Sequence, residues 1–274
     1  MSRINKRFTE LKEQGKTALI PYLTAGDPHP DMTVNLMHAL VADGADILEL
    51  GVPFSDPMAD GPVIQKAVER ALEYNVSLDN VLAMVEEFRN KDQKTPVVLM
   101  GYLNPIEAMG AQVFADAAKQ VGVDAVLTVD MPPEESGGYL EVMQKADLDR
   151  IYLVSPTTPD TRLQAVNNQG SGFVYYVSLK GVTGSAALDT EEVTRQVKHL
   201  KTLLDLPMGI GFGIRNGDTA YQMAKVGDAI IVGSALVSLI EQNASATEEV
   251  IRDAISEKMC EFRQGIDQAD AEKV

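Results

Sequence analysis

The chain alternates between two hydrophobic rhythms. Short, nearly unbroken apolar runs rich in Val, Ile and Leu occupy residues 18–23, 46–50, 96–102, 125–129, 151–154, 173–178, 207–211 and 229–232. Runs of this length, apolar at successive positions, are what parallel strands covered on both faces require. Between them lie longer stretches whose apolar residues recur at helical spacing. Met32, Leu36, Ala39 and Leu40 share one face, and Val63, Ala67, Ala71 and Leu72 share another. Val193, Val197 and Leu200 mark a third within 190–204. Asn104-Pro105 and Asp160 stand before apolar-periodic stretches, as helix-start residues do. Two more amphipathic segments, 2–14 and 246–265, flank the series.

Eight strand–helix units in this order predict an α/β fold, a (β/α)8 TIM barrel. The expected layout is one domain over residues 1–274 with an extra N-terminal helix and additional helices. A doubly wound open sheet is the alternative. A recurring phrase supports the repeat: Gly44-Ala45-Asp46, Gly122-Val123-Asp124 and Gly227-Asp228 each lead into a strand. The glycine is expected to end a helix in the left-handed conformation. No linker or shift in composition marks a domain boundary.

Composition narrows the function. No apolar run approaches the roughly 18–20 residues of a membrane helix, and the first 14 residues are too polar for a secretory signal. A lone cysteine, Cys260, allows no intrachain disulfide. With only His29, His38 and His199 beside it, a Cys/His zinc site is not expected, and all three histidines read as surface residues. These features point to the cytoplasm. The net charge of −16 argues against nucleic acid and anionic membranes as partners. A small phosphorylated substrate stays compatible with it, because backbone N–H groups bind phosphate locally.

Function in such a barrel collects at the C-terminal ends of the strands. Glu49 is a lone charge near that end of the second run. It is either a satisfied structural carboxylate or a general acid/base raised by apolar surroundings. The loop that follows, 52–62, carries three prolines with Asp56 and Asp60. Either aspartate can cap a turn. A carboxylate held beside a buried one can also take a different protonation state and role. Pro62 is placed to open the next helix. Gly209, Gly211 and Gly213 follow the seventh run, and Gly233-Ser234 the eighth, a frequent phosphate site in this fold. One of Tyr175 and Tyr176 must face the interior. The loop 179–187 is either a closing lid or a plain connection. The residues alone thus describe a barrel enzyme using carboxylate acid–base chemistry on a phosphorylated substrate, with no obvious metal.

The segment from Leu48 to Gln65, with Pro21–Pro28, Gly181-Val182-Thr183-Gly184, Gly211-Phe212-Gly213-Ile214 and Val232-Gly233-Ser234-Ala235, resembles the alpha subunit family of tryptophan synthase over essentially the whole chain. The resemblance implies a lyase of tryptophan biosynthesis that cleaves indole-3-glycerol phosphate by a retro-aldol reaction. It implies catalytic roles for Glu49 and Asp60 and a supporting one for Tyr175. It implies a phosphate site on Gly184, Gly213, Gly233 and Ser234, with Thr183, Gly211 and Phe212 also against the substrate. Tyr22, Met100, Leu127 and Val232 become the apolar lining; Tyr22 stands where phenylalanine is common and Met100 where leucine is common. The family pairs with a pyridoxal-phosphate beta subunit in an αββα heterotetramer. Loops with Pro53, Phe54, Asp56 and Asn104 would face that partner, and this chain itself would carry no cofactor. Two other readings stay open: a sugar-phosphate isomerase or epimerase on the same fold, and a chain acting mainly as an allosteric activator of the beta subunit.

Overall fold

A computed structural model describes residues 2–177, 190–211 and 213–273. Nine strands lie among them: β1 (Ala18–Thr24), β2 (Leu48–Gly51), β3 (Val97–Gly101), β4 (Ala125–Thr128), β5 (Asp149–Arg150), β6 (Tyr152–Val154), β7 (Val174–Tyr176), β8 (Met208–Ile210) and β9 (Ala229–Val232). All neighbours pair in parallel, in the order β5-β4-β3-β2-β1-β9-β8-β7-β6. β5 and β6 are one strand path broken at Ile151, whose N–H still reaches the Val126 carbonyl at 3.0 Å. The order therefore closes on itself, and the chain forms an eight-stranded barrel. The eight predicted apolar runs are its eight strand positions.

Alternation along each strand sorts the apolar residues into two cores. Ala18, Ile20, Ile47, Val98, Ala125, Leu127, Ile151, Phe173, Tyr175, Ala229 and Ile231 fill the barrel. Leu19, Leu23, Leu48, Leu50, Val97, Leu99, Val126, Tyr176, Ile210, Ile230 and Val232 pack outward against the helices. Both faces are buried, which is why the runs read as unbroken. The helix Arg3–Glu13, capped by the Ser2 side chain on the Asn5 N–H, plugs the bottom with Ile4, Phe8 and Leu11. The Phe8 and Phe173 rings are 5.8 Å apart.

The repeated glycine–aspartate phrase has a structural purpose that the periodicity did not reveal. Each aspartate reaches sideways and accepts the N–H that opens a neighbouring strand region: Asp46 from Leu19 at 2.7 Å, Asp124 from Val97 at 2.9 Å, and Asp228 from Met208 at 2.8 Å. Cations close the same ring, with Arg3 and Arg89 on Asp124 and Arg263 on Asp46. Gly44 and Gly122 have the expected positive φ, 95° and 89°. Gly227 does not; a side chain there would lie 3.0 Å from Ile210 Cδ1 and 3.2 Å from the Ala229 carbonyl, so close packing explains it instead.

Two expectations about helices and histidines change. The last helix runs Glu248–Ala271, beyond the predicted end near Gly265. Gly265 is where that helix crosses another: a Cβ there would sit 2.2 Å from the Gly217 carbonyl. The extra turns keep burying Ile266 and Ala269, and Asp270 receives the Thr17 N–H at 2.8 Å. His38 is half-buried rather than a surface residue. Its ring stacks on Phe88 at 4.7 Å, and its buried Nε2 has no partner among the described residues.

Candidate active site at the barrel mouth

β2 places Glu49 inside the barrel near its C-terminal end, in register with Tyr22 of β1 and Val98 of β3. Glu49 is 2 % exposed, and its Oε1 has no hydrogen-bond partner among the described residues. Burial first, and the charge of Asp60 second, push its carboxyl up to about 8. At neutral pH it is therefore mostly a neutral acid, the economical state for a carboxyl without a partner.

Asp60 enters from the loop after β2. Burial holds its carboxyl above the ordinary value, and a hydrogen bond from Tyr102 offsets only part of that rise. The Tyr102 hydroxyl is 2.8 Å from Asp60 Oδ2 and also accepts the Ala59 N–H at 3.0 Å. Gln65 Nε2 donates to the Asp60 carbonyl at 2.9 Å. The Phe54 and Tyr102 rings lie 5.3 Å apart. The second loop aspartate, Asp56, turns to solvent and accepts from Ser55 Oγ at 2.6 Å. Pro62 opens the helix Pro62–Glu73, as the sequence suggests. A cavity of about 340 Å³ lies between Ser55–Met58 of this loop and Gln65, Val68, Glu69 and Leu72 of the helix that follows. Neither Glu49 nor Asp60 lines it, so it is not the pocket of the carboxylates.

Two tyrosines occupy space that glycines leave open. A Cβ on Gly51 would fall 2.1 Å from the Tyr22 hydroxyl, and one on Gly211 would fall 2.2 Å from that of Tyr175. Tyr22 is buried with its hydroxyl 3.1 Å from Thr24 Oγ1. Burial raises both phenols, and the nearby acidic charges raise them further, chiefly Asp60 for Tyr22 and Glu49 for Tyr175. Both stay neutral. The pairing of Tyr175 with Gly209 puts Tyr175 inside, while Tyr176 packs outward.

Met100 and Leu127 pair across β3 and β4 and share the inner face. Val232 does not line the interior. It pairs with Pro21 and packs among the outer core, whereas Ile231, one residue earlier, faces inward. A slip of one position moves a strand side chain to the opposite face. On the adjoining β8 and β9 ends, Gly213 has φ 80°, and Gly233 is the N-cap of the helix Ser234–Gln242. Ser234 is exposed on its first turn. Thr183, Gly184, Phe212 and the loop 179–187 lie outside the described residues. Tyr102 and Thr24 were not singled out from the sequence. Tyr102 did carry a signal, since it ends the third apolar run, on the side where function collects.

A closed parallel barrel with a neutral glutamate and a second carboxylate at its C-terminal mouth defines the class: a (β/α)8-barrel enzyme built for acid–base chemistry. Comparison with known proteins then places it. The family described as tryptophan synthase alpha chain matches residues 8–267. The chain is 72 % identical over 272 residues to the tryptophan synthase alpha chain of Hydrogenovibrio crunogenus, covering 99 % of this chain and 100 % of the relative. It is 57 % identical over 267 residues to that of Nitrosococcus oceani, covering 97 % and 98 %. Tryptophan synthase subunit alpha from Legionella pneumophila superposes with a TM-score of 0.93 at 47 % identity, over 98 % of this chain and 99 % of that one. A chain of Mycobacterium tuberculosis tryptophan synthase does so with 0.85 at 35 % identity, over 97 % and 98 %. The chain belongs to the tryptophan synthase alpha chain family and is a lyase of tryptophan biosynthesis. The isomerase and activator-only readings find no support in these relatives. Among the described residues, no helix is long and apolar enough to cross a membrane.

Proposed function

We propose that this chain, acting as one domain, cleaves indole-3-glycerol phosphate to indole and glyceraldehyde 3-phosphate with Glu49 as the proton carrier. The observation that supports this most directly is a buried, neutral glutamic acid at the barrel mouth, whose Oε1 has no hydrogen-bond partner among the described residues, beside the second carboxylate of Asp60. The neutral Glu49 carboxyl gives its proton to C3 of the indole. The resulting carboxylate takes the proton of the side-chain hydroxyl as the carbon–carbon bond breaks, so a carbonyl forms, indole regains aromaticity and Glu49 ends protonated. Protonation at C3 places positive charge on the indole nitrogen, and ionised Asp60 accepts its N–H bond. Tyr175 supports the reacting centre.

In this reading Tyr22, Met100 and Leu127 wall the indole, with Thr183, Gly211 and Phe212 beside the substrate. Backbone N–H groups of Gly184, Gly213, Gly233 and Ser234, with the Ser234 hydroxyl, hold the phosphate. The partner is a tryptophan synthase beta subunit in an αββα assembly; pyridoxal phosphate belongs to that partner, and the complex works in the cytoplasm.

The test mixes purified chain with beta subunit and follows release of glyceraldehyde 3-phosphate. Glu49→Gln should lose at least the roughly 10²–10⁴-fold that general acid–base catalysis supplies, while glycerol phosphate still binds. Near-normal cleavage by that variant would overturn the mechanism.

A further inference from the structure

Tyr102 follows directly on β3 and is the N-cap of the helix Leu103–Met109, yet its side chain makes no capping bond. That task falls to Asp130, which accepts the Leu103 N–H at 2.8 Å. The Tyr102 side chain instead turns to the loop after β2, where it is buried and packs on Phe54.

Its hydroxyl has a fixed sense. A backbone N–H can only donate, so the Tyr102 oxygen accepts from Ala59 at 3.0 Å. Its single proton is left for Asp60 Oδ2, 2.8 Å away. Burial and the charge of Asp60 keep the phenol protonated. One carboxylate oxygen of Asp60, Oδ2, is thereby held.

We propose that Tyr102 is a positioning residue for the cleavage reaction, holding Asp60 Oδ2 so that Oδ1 is presented, ionised, to the indole N–H. The proposal rests on the reading of Asp60 given above. Asp60 faces Glu49 from β2, Tyr22 from β1 and Tyr175 from β7, and Asp130 faces Tyr102 from the loop after β4. Burial keeps the first three protonated near pH 7. A bond donated to the ionised form favours ionisation, so removing it raises the pH at which Asp60 becomes a carboxylate.

Tyr102→Phe keeps the ring on Phe54 and removes only the hydroxyl. Measured with the beta subunit present, kcat/KM for indole-3-glycerol phosphate should fall roughly tenfold or more, the size of a lost hydrogen bond to a charged group. The acid limb of its pH profile should move to higher pH, and the basic limb, set by Glu49, should stay. Activity is normalised to the folded fraction at each pH, so a partly folded variant remains informative. Asp60→Asn is measured alongside. If Asp60→Asn collapses the rate while Tyr102→Phe leaves the acid limb in place, Tyr102 is only a loop strut and the proposal fails alone. If Asp60→Asn cleaves normally, the reading of Asp60 fails and takes the proposal with it.

Discussion

Glu49 shows how one side chain ties stability to chemistry. Its carboxyl is raised from 4.5 to about 8. A group whose folded value lies above its unfolded one contributes stability that is fully present below the unfolded value and is lost as pH rises through the folded one. The window is thus about pH 4.5 to 8. Glu49→Gln removes the ionisable group, so the variant should match the wild type near pH 4 and be more stable near pH 9, by on the order of a few kcal/mol. Urea unfolding at both pH values measures this; a difference that does not grow with pH would show that Glu49 is not held neutral by burial. The same pKa predicts that cleavage declines above about 8, where the proton donor is lost. In the sequence, Glu49 stood out because a charge interrupted an apolar run. Its pKa was not legible there, because it depends on what surrounds both faces of β2 and on Asp60, which arrives from a loop.

At the scale of elements, strand register decides which side chains meet. Tyr22 lies in register with Glu49, and Gly51, two residues on, leaves the room its ring occupies. Gly51→Ala puts a methyl where the Tyr22 hydroxyl is, so we expect Tyr22 to be displaced, with a stability cost of about 1–3 kcal/mol typical of overpacking and a drop in cleavage. Unchanged kinetics in Gly51→Ala would show that the position of Tyr22 is immaterial. At the β8 end, the left-handed backbone of Gly213 suits no β-branched residue. Gly213→Val should weaken glycerol phosphate binding measured by calorimetry, and unchanged affinity would remove Gly213 from the phosphate site. The Val232 and Ile231 exchange belongs to this scale too. Both are apolar in the same run, and only pairing with β1 shows that Ile231 faces in.

Over the whole molecule, stability and chemistry occupy opposite ends of the barrel. The bottom is tied by Asp46, Asp124 and Asp228, each bridging strands, with arginines from the first helix, from Leu78–Arg89 and from the last helix converging on two of them. Arg89 is 5 % exposed and pairs with Asp124 at 2.8 Å. Asp124→Ala leaves that buried guanidinium with its bonds to the Gly122, Asp92 and Thr95 carbonyls but without its carboxylate, which costs up to about 3 kcal/mol. The urea midpoint should fall accordingly, while kcat of the folded fraction stays near wild type. A large loss of kcat would mean that the bottom ring reaches the mouth.

The sequence by itself determined the strand positions, the barrel and the carboxylate at its mouth. Apolar periodicity follows from burial of both strand faces, and the repeated Gly–Asp phrase follows from repeated βα units. It also carried the resemblance that the relatives bear out at the level of the family. The tertiary structure alone decided which of Tyr175 and Tyr176 turns inward, that Gly227 serves packing rather than a left-handed turn, and that Tyr102 holds Asp60 across 42 residues of chain. These depend on side chains from distant segments meeting in three dimensions. Local pattern records that a residue is buried or polar, but contact and charge between segments set what it is buried against.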